Sequence, residues 1–164
     1  MIDVTDQDFE QQVIEKSHEI PVIVDLWAPW CGPCKTLGPL LEKVIDSQAG
    51  KVIGVKINVD ENPGVSQAFQ VQSIPMVVAF KDGQAVDGFM GAQGEPMLED
   101  FVSRLLPTEE ENQIESLIAA GDEISLRAAL EVQSDHPEGV LALADLLVQD
   151  GRTEEGLALL ERVP

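Results

Sequence analysis

Residues 24–35, Val24-Asp25-Leu26-Trp27-Ala28-Pro29-Trp30-Cys31-Gly32-Pro33-Cys34-Lys35, decide how the rest of the chain is read. They join a β-branched apolar run of strand length, Pro21 to Trp27, to a segment of helical periodicity from about Cys34 to Gln48. The only two cysteines of the chain stand where that helix opens. Two cysteines across the first turn of a helix lie within reach of an intramolecular disulfide. The free backbone N–H groups and the positive dipole end there favour a thiolate. Cys31 comes first and is expected to be the exposed attacking thiol; Cys34, inside the helix and facing the core, is expected to resolve the mixed disulfide. Pro33 has no N–H to waste in the first turn, and its fixed φ suits a helix start. Half of a zinc site is the competing reading. Zinc needs four ligands, and the chain adds only His18 and His136, from regions of different character; each histidine reads more simply as a surface or helix-end residue.

The strand before the cysteines carries an anomaly of its own. Asp25 interrupts Val-Ile-Val-Asp-Leu-Trp, and burying it without a partner raises its pKa and costs stability. Either it points to an edge or a loop, or it is a poised carboxylate that takes the Cys34 proton, directly or through water. Lys56, amid Val55 and Ile57, is a candidate neighbour on an adjacent strand, or else a strand-end lysine with its head in solvent. Ile74-Pro75 enters another apolar run; such a proline is either edge punctuation or a cis bond that exposes the preceding backbone to an extended peptide.

Working outward, Thr5 or Asp6 is expected to cap a helix running to about Ser17. Lys51 to Val59 reads as a strand, Asn62 to Phe69 as a short helix, and Met97 to Leu106 as an amphipathic helix. Met76 to Lys81 and Gln84 to Met90 flank Asp82-Gly83, a hairpin turn. Strands alternating with helices and then a hairpin imply an α/β architecture with a central mixed sheet flanked by helices. A boundary falls near Leu106 to Thr108. Residues 1–107 carry 7 basic and 16 acidic side chains, whereas residues 108–164 carry 3 and 14, have no aromatic residue and read as helices throughout. Residues 115–133 align with 145–163 at an offset of 30, matching Leu117 with Leu147, Gly121 with Gly151, Ala128 with Ala158, Leu130 with Leu160 and Glu131 with Glu161. Pro137 and Pro164 punctuate the two copies. Each copy has the logic of a helical-hairpin solenoid, although two ordinary amphipathic hairpins rich in Leu and Ala would look alike. Solenoids need about three or more units, so the chain is expected to be a piece of a longer protein.

Of the 164 residues, 44% are hydrophobic, and 30 acidic against 10 basic side chains give a net charge of −20. Phosphate backbones and anionic lipid surfaces repel such a chain, which argues against nucleic-acid and membrane roles. No apolar run approaches membrane-spanning length and the N-terminus lacks a signal-peptide pattern, so the expected location is cytoplasmic.

The 24–35 stretch, with Ile74-Pro75, Phe80-Lys81-Asp82-Gly83 and Gly91, resembles the thioredoxin family over about residues 1–107. The resemblance implies the thioredoxin fold, reduction of protein disulfides by Cys31 and Cys34, and Asp25 with Lys56 as the buried proton-handling pair. It also implies a cis Pro75 and a substrate groove of Trp30, Gly32, Pro33, Ile74, Pro75, Gly91 and Ala92. It further implies no bound cofactor and no metal, with reducing equivalents from thioredoxin reductase and NADPH. Gly-Pro between the cysteines is what reducing members carry. Pro29, where an acidic residue is common, and Met76, where Thr is common, depart from the pattern beside the groove. A thioredoxin domain followed by tetratricopeptide-like hairpins, 1–107 and then 108–164, resembles the chaperedoxin type of bacterial co-chaperone. That second resemblance implies holding unfolding clients, protecting their cysteines from over-oxidation and delivering them to the GroEL chaperonin. A dithiol reductase and a client-binding adaptor are therefore the two leading readings, with a structural zinc module third.

Overall fold

A computed structural model describes residues 1–163; Pro164, the second punctuating proline of the proposed repeat, lies outside them. The chain divides into two compact units, Met1–Leu106 and a second that begins at Pro107.

The first unit is built on a five-stranded sheet of order β1-β3-β2-β4-β5. Its strands are β1 (Ile2–Asp3), β2 (Val22–Trp27), β3 (Ile53–Asn58), β4 (Met76–Lys81) and β5 (Gln84–Met90). β1, β3 and β2 run parallel, and β4 and β5 pair antiparallel beside them, so the expected mixed sheet is present. Its helices are α1 (Gly32–Asp46), α2 (Pro63–Ala68) and α3 (Glu95–Ser103). On one face, Ile23, Val77 and Ala79 pack with Leu37 and Leu41 of α1 and Leu98 and Phe101 of α3. On the other, Val24, Leu26, Val55, Ile57 and Phe80 pack with Val13, Val65 and Phe69. Phe9, Phe69 and Phe80 close that second core edge to face, with ring centroids 5.7–5.9 Å apart. β2 is buried on both faces, which is why it reads as a continuous apolar run.

Three local readings need correction. The first helical segment is not one regular helix from Thr5 or Asp6 but a π-helical stretch, Glu10–Glu15, followed by a 3₁₀ turn, Lys16–His18. Asp6 caps a different helix: its carboxylate accepts from Gly64 N and Val65 N at the opening of α2, whose first-turn N–H groups have no partner within the helix. α1 begins at Gly32 rather than Cys34 because Pro33 occupies its first turn. The hairpin turn has positive φ at both Asp82 (53°) and Gly83 (78°), the handedness that matches strand twist. Ser17 docks this turn, its hydroxyl accepting from Gly83 N and donating to Ile14 O.

The second unit contains α4 (Glu109–Ala120), α5 (Glu123–Val132), α6 (Pro137–Gln149) and α7 (Thr153–Leu160). A capping box between Thr108 and Glu111 opens α4, and Asp122 caps α5. Gly121 and Gly151 turn the chain with φ of 71° and 80°, a region where only glycine is at ease. Leu126, Leu130, Val140, Leu143, Leu147 and Leu159 form its core. Among the described residues no helix is long and apolar enough to cross a membrane.

Candidate active site

β2 delivers the chain to the N-terminus of α1, and Cys31 is the cap. Its backbone is extended (φ −84°, ψ 106°), and its Sγ accepts from Cys34 N at 3.2 Å, where a capping oxygen usually sits. Cys31 and Cys34 are joined in a disulfide, with Cα atoms 5.3 Å apart. Both residues are only 4% exposed. The expectation of an exposed Cys31 is thus corrected for this oxidised form: the bonded sulfurs lie under Trp27, Val59 and Ile74.

The predicted groove residues gather around that disulfide. Ile74 packs directly against the cysteines, and the Ile74–Pro75 peptide is cis. Pro75 is buried and its carbonyl accepts from Gly91 N at 2.8 Å; Gly91 has φ 84°. Gly32 and Pro33 are exposed on the first turn of α1, and nothing stands within 4 Å of where a Gly32 Cβ would be. Trp30 is 70% exposed, its indole N–H donating to Asp60 Oδ2 at 2.9 Å. Ala92 is also exposed. Val59, Val71, Gln72 and Ser73 complete a concavity with Trp30 and Ile74. Asp60 and Val59 were not anticipated. Because β2 and β3 are parallel, with Trp27 opposite Asn58, the residues just past both carboxyl ends fall together, the usual place for an α/β site. Of the two departures from the family pattern, Pro29 is exposed, and Met76 is half-buried opposite Met90 on β5.

On the other side of Cys34 lies a cavity of about 260 Å³ that it shares with Asp25, Trp27 and Lys56. Asp25 is 2% exposed, and its Oδ1 has no hydrogen-bond partner among the described residues. It sits on the α1 face of the sheet, with Gly38 of α1 close enough that a Cβ there would meet Asp25 Oδ2 at 3.8 Å. Burial pushes the Asp25 carboxyl up from 3.8 to about 6, against the opposing pull of the Lys56 charge. Lys56 is the register partner of Asp25 across β2 and β3. Its ammonium is nevertheless engaged elsewhere, 3.9 Å from Asp3 Oδ1 and 5.4 Å over the Trp27 ring, and its side chain is 36% exposed. Lys56 therefore acts on Asp25 through space rather than by a hydrogen bond. Met1, whose amino group pairs with Glu42, also lines this cavity; nothing in the local pattern of either residue signals it.

Among the described residues no cluster of three or more His, Cys, Asp or Glu could hold a metal. The two histidines lie in different units, His18 against Gly83 and His136 as the cap of α6.

Comparison with known proteins agrees with the geometry. The family model described as Thioredoxin matches residues 1–104. The chain is 48% identical over 89 residues to Thioredoxin 1 of Synechococcus elongatus, covering 54% of this chain and 81% of that protein. It is 40% identical over 101 residues to thioredoxin of Rickettsia felis, covering 62% and 94%. Against mitochondrial thioredoxin of Bos taurus the identity is 43% over 99 residues, 60% of this chain and 58% of that protein. The chain belongs to the thioredoxin family and is a protein-disulfide reductase.

Proposed function

We propose that residues 1–107 form the reductase domain, with Cys31 as nucleophile, Cys34 as resolving thiol and Asp25 as the group that moves the Cys34 proton. The observation that carries this reading is the placement of Cys31 Sγ at the cap of α1, where it accepts from Cys34 N; that hydrogen bond and the helix dipole favour a thiolate once the pair is reduced. The Cys31 thiolate attacks one sulfur of a client disulfide. A Cys31–client S–S bond forms as the client bond breaks, and the departing client sulfur leaves as a thiolate that takes up a proton. Cys34 then gives its proton to Asp25 through the shared cavity and attacks Cys31 Sγ, closing the internal disulfide and expelling the second client sulfur. Two electrons pass from the dithiol to the client, and thioredoxin reductase restores the dithiol with electrons from NADPH. Lys56 keeps the Asp25 carboxylate accessible near neutral pH by its charge. The groove of Trp30, Gly32, Pro33, Ile74, Pro75, Gly91 and Ala92 seats the client strand, with the Gly91–Pro75 hydrogen bond fixing the loop that faces it.

The test is insulin reduction coupled to thioredoxin reductase and NADPH. Cys31→Ser is expected to abolish turnover, and Cys34→Ser to accumulate mixed disulfides; wild-type turnover in Cys31→Ser refutes the assignment.

A second reading adds to the first. Residues 108–164 serve as a TPR-like client-binding segment of a co-chaperone that acts in the cytoplasm and hands clients to the GroEL chaperonin. Exposed apolar side chains on the helical unit, Ile124 (82%), Leu141 (57%) and Leu157 (56%) among them, favour it. Suppression of citrate synthase aggregation by the full chain, lost on deleting residues 108–164, is the expected result.

A further inference from the structure

The chain has four methionines, and they differ in how they meet solvent. The Met1 side chain is 4% exposed and Met76 is half-buried, whereas Met90 and Met97 are 61% and 56% exposed. In the disulfide form Cys31 and Cys34 are each 4% exposed. The sulfurs that solvent reaches most freely in this oxidised form are therefore the thioethers of Met90 and Met97, while the redox pair itself is covered.

Met90 stands where the sheet meets the active site. It is the last residue of β5 and the register partner of Met76, the first residue of β4, which in turn lies opposite Leu26 of β2. Directly opposed residues of an antiparallel pair place their side chains on one face within contact distance, so Leu26, Met76 and Met90 form a row across the sheet. Met76 packs on the same core as Val59 and Val71, and these two line the concavity with Trp30 and Ile74. The chain neighbours of the methionine pair are Pro75 and Gly91, tied by the 2.8 Å hydrogen bond from Gly91 N to the Pro75 carbonyl. Met90 thus extends the apolar rim of the groove by an exposed, adaptable thioether.

We propose that Met90 is an oxidation site that regulates client reduction: conversion of its exposed thioether to the sulfoxide by hydrogen peroxide makes the groove rim polar beside Gly91 and slows the reduction of protein disulfides. One peroxide oxygen bonds to the Met90 sulfur as the O–O bond breaks, and the other leaves with both hydrogens as water. The sulfur loses two electrons and the peroxide gains them. The product keeps the length of the side chain but carries a strongly accepting S–O group, which holds water that an apolar contact has to displace. Met97 is equally open to the oxidant, but it lies in the first turn of α3 and has no strand register with β4, so its oxidation leaves the groove rim apolar. The inference deepens the groove reading and rests on it.

The experiment uses the full chain, treated with hydrogen peroxide in its disulfide form so that the cysteines stay out of the reaction, then freed of peroxide and reduced with dithiothreitol. Peptide mass spectrometry locates the added oxygen. Because Trp27 packs against the disulfide, its fluorescence follows disulfide closure in a single turnover, with insulin as the protein client and cystine as a small one. Once Met90 is oxidised, the rate constant for insulin is expected to fall about fivefold, while that for cystine is unchanged. Treatment with methionine sulfoxide reductases is expected to restore the insulin rate. Met90→Leu, compared with its own untreated form, is expected to lose the sensitivity to peroxide, and Met97→Leu to retain it. Met90→Gln, polar and of similar length, is expected to react slowly with insulin without any peroxide. An unchanged insulin rate with Met90 oxidised overturns the proposal, as does oxidation of Met97 with Met90 spared. An equal loss in Met90→Leu also overturns it, and so does an equal loss with cystine, which places the damage at the dithiol. If Trp30→Ala slows insulin reduction and oxidation of Met90 does not, this site fails and the groove reading stands; if neither slows it, both fail.

Discussion

Replacing Asp25 by Asn removes a carboxyl that is buried, has no hydrogen bond at Oδ1 among the described residues and is pushed up from 3.8 to about 6 by that burial. A raised carboxyl pKa means that the folded state holds the proton more tightly than the unfolded state. Stability is then greatest below about pH 4 and is lost as pH rises through about 6. The displacement from 3.8 to about 6 corresponds to a full penalty of about 3 kcal/mol once the carboxylate is ionised in both states. By linkage, about a fifth of it is present at pH 4, about half at pH 5 and nearly all by pH 8. Asp25→Asn therefore gains on the wild type by about 2 kcal/mol between pH 4 and pH 8, whatever constant offset the amide introduces. Urea unfolding of the oxidised proteins followed by tryptophan fluorescence measures this difference. Both tryptophans, Trp27 and Trp30, lie in the first unit, so the signal reports the domain that contains the substitution. A stability difference that does not change with pH, or one that shrinks as pH rises, refutes the assignment of a raised pKa. The same substitution is expected to slow insulin reduction, because Cys34 loses its proton acceptor. A faster or unchanged reaction would separate the burial of Asp25 from any role in turnover.

Three further substitutions probe how the fold holds the site. Asp6→Ala removes the cap of α2 and is expected to cost about 1–2 kcal/mol in urea unfolding, with Asp6→Asn recovering part of the loss because its amide oxygen can still accept from Gly64 N or Val65 N. Ser17→Ala leaves Gly83 N without its 2.8 Å acceptor and is expected to cost about 1–3 kcal/mol; equal stability would show that this tie is dispensable. Gly156→Ala places a Cβ 2.9 Å from the Ala144 carbonyl oxygen and from Val148 Cγ2, so the helical unit should lose about 1–3 kcal/mol of stability by far-UV circular dichroism.

What the sequence made legible follows from the range of the interactions involved. β4 and β5 were readable to the residue because Asp82-Gly83 separates two apolar runs and sets the turn locally. β1 was not, since Ile2–Asp3 has no pattern of its own and exists only by pairing with Val55 and Lys56, more than fifty residues away. Asp6 looked like a local cap because cap preferences are local; its actual partners lie in α2. At the site, the cysteines and Asp25 stood out as exceptions to their surroundings, a helix start and an apolar strand. Asp60 and Met1 did not, because each is an ordinary residue in its own segment and reaches the site only through the parallel packing of β1, β3 and β2; Glu42 did not either, as an ordinary glutamate about two turns beyond Cys34 on α1. The burial of Cys31 was also out of reach, because exposure at a helix cap depends on Ile74, forty-three residues later.

The position of Asp25 shows why this architecture tolerates such a cost. Only a central strand with both neighbours in place can carry a carboxyl to the back of the disulfide, and β2, with β3 on one side and β4 on the other, is that strand. Its odd-numbered residues face α1, so the strand that brings the chain to Cys31 at its end also sets Asp25 beside the cavity that borders Cys34. Moving the carboxyl one residue along β2 would turn it to the opposite face, into the Val24, Leu26 and Val55 core, away from both cysteines. Moving it two residues keeps the face, but residue 23 is enclosed among Leu37, Leu41 and Phe101, while Trp27 already occupies its own place in the cavity lining. Position 25 is thus the one place on β2 where a buried carboxyl meets the cavity from the side of Cys34. The about 3 kcal/mol of destabilisation is therefore tied to the same geometry that the proposed proton transfer from Cys34 requires.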